Sequence, residues 1–189
     1  MRATVLALTL VVAVSGRAAA ADGADSASPF DARRTAIYGV LGLGTPVGLA
    51  GVEVEETILQ MWSLSAGAGI GASGDPQGAA MIHWLAGGLR SKVTIGVGVS
   101  GGKYKWTQFC IDDCDNGPAT KSGTVAWGNF EIGGEHRFWS GFALRYFGGY
   151  GRIIAGNLVC DPPATSCGPY YQNDGYDLVY TGIGLGYSF

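Results

Sequence analysis

The sequence predicts an all-β chain closed into an eight-stranded antiparallel up-and-down β-barrel. Three observations predict it. Bulky apolar residues recur at every second position, most cleanly at the chain end, where Val179, Ile183, Leu185, Tyr187 and Phe189 alternate with Gly182, Gly184, Gly186 and Ser188. Period two is the signature of a strand with one greasy face. Charged residues make up only 14% of the chain, against roughly 25% in soluble domains. Glycine supplies 33 of 189 residues, more than twice the usual share of roughly 7%. These glycines interleave with Val, Ile, Leu, Trp and Tyr, as the bends and tight interior of a small closed barrel require.

The N-terminus is set apart from this pattern. Met1-Arg2 opens a basic region, Ala3 to Val14 is apolar, and Ala18 to Ala21 supplies small residues for cleavage before Asp22. This reads as a secretory signal peptide over residues 1–21, too short to span a bilayer. Residues 22–34 are expected to be a disordered leader, rich in Asp, Ser, Ala, Gly and Pro, and residues 35–189 the barrel. Once Arg2 and Arg17 are removed with the signal, ten basic residues face fifteen acidic ones, about −5 net. No basic patch remains to hold nucleic acid. No later apolar run approaches the ~20 residues of a spanning helix. A chain this apolar and this poor in charge fits a transmembrane barrel, greasy outside on every second residue.

The eight strands are predicted in order. The first runs over 35–44 and turns at Thr45-Pro46-Val47-Gly48. The second, 49–56, sets Ala50, Val52 and Val54 against Gly51, Glu53 and Glu55. The third, 59–72, puts Trp62, Leu64, Ala66, Ala68 and Ile70 on one face, and Ser73 to Gly78 is dense turn chemistry. The fourth, 79–90, carries large residues on both faces (Met81, His83, Leu85 and Ile82, Trp84). The fifth begins at Val93 and alternates Val93, Ile95, Val97 and Val99 with Thr94, Gly96, Gly98 and Ser100. A polar stretch over 107–122 precedes the sixth, 123–135, which separates Ala126, Phe130 and Ile132 from Asn129 and Glu131. The seventh opposes Phe142, Leu144, Tyr146 and Tyr150 to Ala143, Arg145 and Gly149, and 156–175 leads to the last strand. Connections at one end are thus short and at the other longer, with an even strand number. Trp62, Trp84, Trp127, Trp139, Tyr146, Tyr150, Tyr187 and Phe189 are expected in interfacial girdles.

Glu53, Glu55, Glu131 and Arg145 share the small-residue face. A charge on the lipid face costs roughly 2–4 kcal/mol for a midplane Arg, so these four should point inward. In a narrow barrel filled by side chains they should pair and plug the lumen. Arg152 shares parity with Tyr150 and is expected at the outer rim, near anionic head groups.

Together these features resemble the small eight-stranded bacterial outer-membrane barrels of the OmpA/OmpX-like type. The pattern spans residues 35–189, and its specific motif is the closing strand, Ile183, Leu185, Tyr187 and terminal Phe189. The resemblance implies a Gram-negative cell-envelope protein, porin-like in architecture and monomeric. It further implies contact with outer-membrane lipid and lipopolysaccharide, and recognition of that closing strand by the barrel-assembly machinery. No peptidoglycan-binding domain is expected after the barrel, so a cell-wall tether is not implied.

Cys110, Cys114, Cys160 and Cys167 are all expected in the two long loops. In an oxidising compartment disulfides are favoured. Pairing of neighbours and cross-pairing between the loops both remain open. Zinc is disfavoured, because no histidine lies near either pair. Asp112, Asp113 and Asp115 do not match a calcium-loop spacing and read as solvated acid. The letters Gly96-x-Gly98-x-x-Gly101 lack the following helix that a dinucleotide site needs. His83 and His136 are read as girdle or turn residues rather than catalytic ones, so no enzyme, cofactor or metal is expected. The function expected is structural or surface-interacting, through the disulfide-bonded outer loops. The alternatives are a narrow transporter of small apolar molecules, a lipid A-modifying enzyme, and a secreted lipocalin-like binding barrel with its greasy face inward.

Overall fold

The computed structural model of the chain describes residues 28–107, 120–161 and 177–189. A four-residue helical turn, α1 (Pro29–Ala32), precedes eight strands. They are β1 (Thr35–Thr45), β2 (Gly48–Leu59), β3 (Trp62–Ile70), β4 (Pro76–Gly87), β5 (Ser91–Thr107), β6 (Thr120–Arg137), β7 (Phe142–Asp161) and β8 (Asp177–Ser188). Each strand pairs antiparallel with the next, and β8 pairs with β1 in a register running from Ala36↔Ser188 to Leu43↔Thr181. The protein is an all-β, eight-stranded, closed antiparallel barrel, as the period-two alternation predicts.

Closure leaves no open edge, and the pleat sends alternate side chains in and out. Val52, Leu64, Val97, Ile132, Leu185 and Tyr187 lie on the outside, each half or more exposed. Their neighbours Glu53, Ser65, Glu131 and Ser188 lie inside and are buried. A lipocalin-like arrangement demands the reverse. The fourth strand, ambiguous in sequence, resolves with Met81, His83 and Leu85 inward and Ile82 and Trp84 outward.

Three strands are much longer than their apolar stretches. β5, β6 and β7 run 17, 18 and 20 residues, against 9 to 12 for the others. Segments expected as polar loop, such as Thr120–Ser122 and Gly156–Asp161, are therefore strand. Cys160 accordingly belongs to β7, in register with Lys121, rather than to a loop. The backbone ladder continues where Thr120-Lys121-Ser122 is polar throughout and Leu158-Val159 sets apolar residues side by side, so period two vanishes while pairing persists.

At the end carrying the chain termini the connections are tight. Gly88 N–H bonds Ser91 O at 2.9 Å and Phe138 N–H bonds Phe142 O at 2.9 Å. The leader differs from expectation at its C-terminal end. Ser28 caps α1 by accepting from Phe30 N–H at 3.2 Å, and Phe30 is fully buried against the barrel.

At the opposite end the β1–β2 turn folds into the barrel instead of projecting away. Thr45 and Val47 are buried, Thr45 Oγ1 donates to Gly48 O at 2.5 Å, and Gly48 takes a φ of 101°. Gln77 Nε2 on β4 donates to Thr45 O at 3.2 Å and Pro46 O at 3.0 Å, pinning the turn. Small residues make the socket: a Cβ at Gly67 meets Val47 Cγ1 at 2.7 Å and Val52 O at 2.7 Å. Gly67→Val is therefore expected to expel the turn and cost about 1–3 kcal/mol by overpacking. Urea unfolding in micelles, with methyl spectra of Val47, reads both effects.

Candidate functional site

The barrel interior holds the chain's concentrated polar chemistry. It is built from inward positions on β1, β2, β4, β6 and β7, so register alone brings together residues far apart in sequence. Arg145 on β7 sits at the centre, 2% exposed. Its Nη1 donates to Glu53 Oε1 at 2.5 Å and to Glu55 Oε2 at 3.3 Å. Its Nη2 donates to Glu131 Oε1 and lies 2.7 Å from His83 Nε2. All four residues predicted from parity as a lumen charge network therefore meet, and His83 joins them.

A second guanidinium lies nearer the termini. Arg137 on β6 donates from Nη2 to Glu55 Oε1 at 2.9 Å and from Nε to Glu135 Oε1 at 2.5 Å. Tyr38 Oη donates to the same Glu135 oxygen at 2.7 Å. Glu55 thus bridges the two arginines, one through each carboxylate oxygen. Arg137 Nη1 also donates to Arg33 O at 2.8 Å and Arg34 O at 3.3 Å, and its guanidinium lies 4.5 Å from the centre of the Phe30 ring. Ser28 Oγ donates to Leu89 O at 2.6 Å, fastening the far side of the turn. Buried charges persist in this way only when paired and hydrogen-bonded.

With Arg145 donating, His83 Nε2 acts as acceptor and the ring proton is assigned to Nδ1, which has no partner among the described residues. His83 is fully buried, not a girdle or turn residue as expected. Its position inside follows from parity with Met81 and Leu85, which a strand greasy on both faces conceals. His136 matches its expectation: it lies beside the turn, 2.6 Å from Ser91 Oγ. Trp127 is a second correction, since it faces inward and is buried instead of joining a girdle. Trp62, Trp84, Trp139 and Tyr187 do lie on the outside, toward the termini.

Sequence reasoning missed Tyr38, Phe30, Glu135 and Arg137. Parity is sufficient for the last two, because Glu131, Gly133, Glu135 and Arg137 share one face, but the expected strand, 123–135, has Glu135 as its last residue and stops two residues short of Arg137. No comparable signal existed for Phe30. Phe30→Ala is expected to undock α1 while leaving the barrel intact. A buried Phe→Ala change costs about 3–5 kcal/mol where the site cannot collapse, enough to open a short terminal segment. Trypsin cleavage at Arg33 and Arg34 should then accelerate without change in unboiled gel mobility.

Of the remaining expected sites, Ile183, Leu185, Tyr187 and Phe189 all point outward along β8. Arg152 is exposed beside Asp177, with Nε and Oδ1 4.0 Å apart. The disulfide expectation for Cys110, Cys114, Cys160 and Cys167 lies outside the described side chains. Among the described residues no group of three or more His, Cys, Asp or Glu side chains is arranged to hold a metal ion.

Fold and interior together define the class: a closed eight-stranded antiparallel β-barrel with an apolar exterior and a buried ionic core. No family model matches the chain, and no curated protein matches it. Among solved structures, Acinetobacter baumannii CarO is similar at 11% identity, covering 82% of this chain and 98% of that one with a TM-score of 0.39. Acinetobacter baumannii CarO2 is similar at 11% identity, covering 83% and 99%, with a TM-score of 0.40.

Proposed function

We propose that this chain is an integral bacterial outer-membrane β-barrel of the small OmpA/OmpX-like type, exported by its signal peptide. Its role is structural or surface-interacting, and it does no catalysis. The observation carrying this reading is the inverted distribution of polarity. Leu185 and Tyr187 are 54% and 55% exposed while Glu55 and Arg145 are 1% and 2% exposed. In water such a surface would aggregate; in hydrocarbon it is the stable solution. The termini and tight turns face the periplasm, and the longer connections face outward.

The lumen is closed. What supports this is the succession of the Arg145 cluster, the Arg137 cluster and the docked α1, all built from buried side chains. Lipopolysaccharide and lipid contact the outer rim near Arg152, disulfides hold the outer loops, and the closing strand is the handle for the assembly machinery. The barrel acts as a monomer.

Planar bilayers test this reading. Folded protein should insert and give no steady single-channel conductance, and it should migrate faster unboiled than boiled on gels. Stable ohmic conductance of the wild-type chain contradicts the closed lumen. Failure to enter lipid at all contradicts the membrane assignment.

A further inference from the structure

Above the ionic layers, at the end opposite the termini, the barrel contains a cavity of about 530 Å³. This lies within the roughly 300–1,000 Å³ of small-molecule sites. We infer that it binds a small neutral amphipathic molecule, with an aromatic or aliphatic body and a hydroxyl or N–H donor. Nothing in the closed-lumen reading requires such a site.

The walls supply the apolar part. Trp127 and Tyr104 line the cavity from adjacent strands, their rings edge-to-face with centroids 6.4 Å apart, and Leu178 lines it from β8. Beneath, Phe147 and Tyr180 on the neighbouring strands β7 and β8 pack edge-to-face with ring centroids 6.4 Å apart, and the Arg145 guanidinium lies 5.2 Å from the centre of the Phe147 ring.

The polar part is more selective. Asn129 Nδ2 donates to Ser100 Oγ at 2.9 Å and to Trp127 O at 3.4 Å. Gln77 Nε2 donates to the Thr45 and Pro46 carbonyls. Main-chain carbonyls accept only, so they fix both amides with nitrogen toward the protein. Asn129 Oδ1 and Gln77 Oε1 are left as acceptors without a partner among the described residues, and both side chains line the cavity. Asn129 is 8% exposed. Both oxygens are open to the cavity, so a ligand N–H or O–H can replace solvent as their donor.

Charge at the mouth argues for neutrality. Lys103 pairs with Asp75 at 3.1 Å, Asp177 lies beside Arg152, and Lys105 is exposed. Among the described residues the charged groups lining the cavity are Lys103, Lys105 and Asp177, and two of these three are already offset by an opposite charge, Lys103 by Asp75 and Asp177 by Arg152.

The test titrates the folded full chain in detergent micelles with indole and with 1-methylindole, which keeps the shape but lacks the donor. Side-chain amide signals of Asn129 and Gln77 and the indole N–H signal of Trp127 are followed by NMR. Indole should shift all three saturably, and 1-methylindole should bind about tenfold more weakly, the loss of one hydrogen bond. Asn129→Leu, checked for native unboiled gel mobility, should reduce indole affinity by a similar factor and narrow the gap between the probes. Equal affinity for both probes, absence of saturable shifts, or shifts confined to outward-facing residues such as Val97 and Leu185 overturns the inference. The wild-type comparison alone decides it if the variant does not fold.

Discussion

Arg145→Leu is expected to destabilise the folded barrel by about 3–5 kcal/mol, the cost of breaking a buried ion pair from one side. The cause is what remains behind. Glu53, Glu55 and Glu131 lose their shared cation, His83 loses its donor, and all four stay buried. Arg145→Lys should recover only part of this, because an ammonium is a point donor and cannot span carboxylates on β2 and β6 with a planar fork. Urea unfolding in micelles with unchanged slope measures the loss. A loss below about 1 kcal/mol, the worth of an exposed pair, would show that these carboxylates are not held dry.

Arg137→Leu should cost a similar amount, about 3–5 kcal/mol by the same mechanism, and release the N-terminal turn as well. It leaves Glu135 with Tyr38 Oη as donor but no paired cation, frees one oxygen of Glu55, and removes the donor to the Arg33 and Arg34 carbonyls. Because Glu55 bridges both arginines, the two substitutions should not add. The coupling expected for residues sharing a network is about 0.5–3 kcal/mol, and a double mutant equal to the sum of its singles contradicts the bridge. Replacing the whole network by apolar side chains of matched volume should be close to neutral. On this reading the ionic layers fix the arrangement of β2, β4, β6 and β7 more than they supply net stability.

The fold was legible because an outer face in hydrocarbon imposes period two on every strand. Leu64, Val97 and Leu185 announce their faces without help from neighbours. Legibility stopped where that constraint stopped. At Thr120–Ser122 and Gly156–Asp161 the ladder continues without alternation of apolar and polar residues, so these ends read as loop. Glu53, Glu55, Glu131 and Arg145 were legible as a network because a charge on the greasy face is forbidden. His83 and Trp127 were not, since each is amphipathic and suits either an interface or an interior. The docking of Phe30 depends on Arg137 and Leu89, 107 and 59 positions further along the chain, and composition alone made that segment look unstructured. The inturned Val47 was hidden for a related reason: Gly67 reads as a strand glycine until the turn that fills its space is seen.

The most direct test of the inside-out polarity is contact with acyl chains. In protein reconstituted into lipid or detergent with protonated chains, methyl groups of Val52, Val97 and Leu185 should show NOEs to chain methylenes. Those of Val40 and Leu85, 2% and 1% exposed, should show none. Cross-peaks from Val40 and Leu85 to the chains, with Val52, Val97 and Leu185 silent, would contradict the whole account.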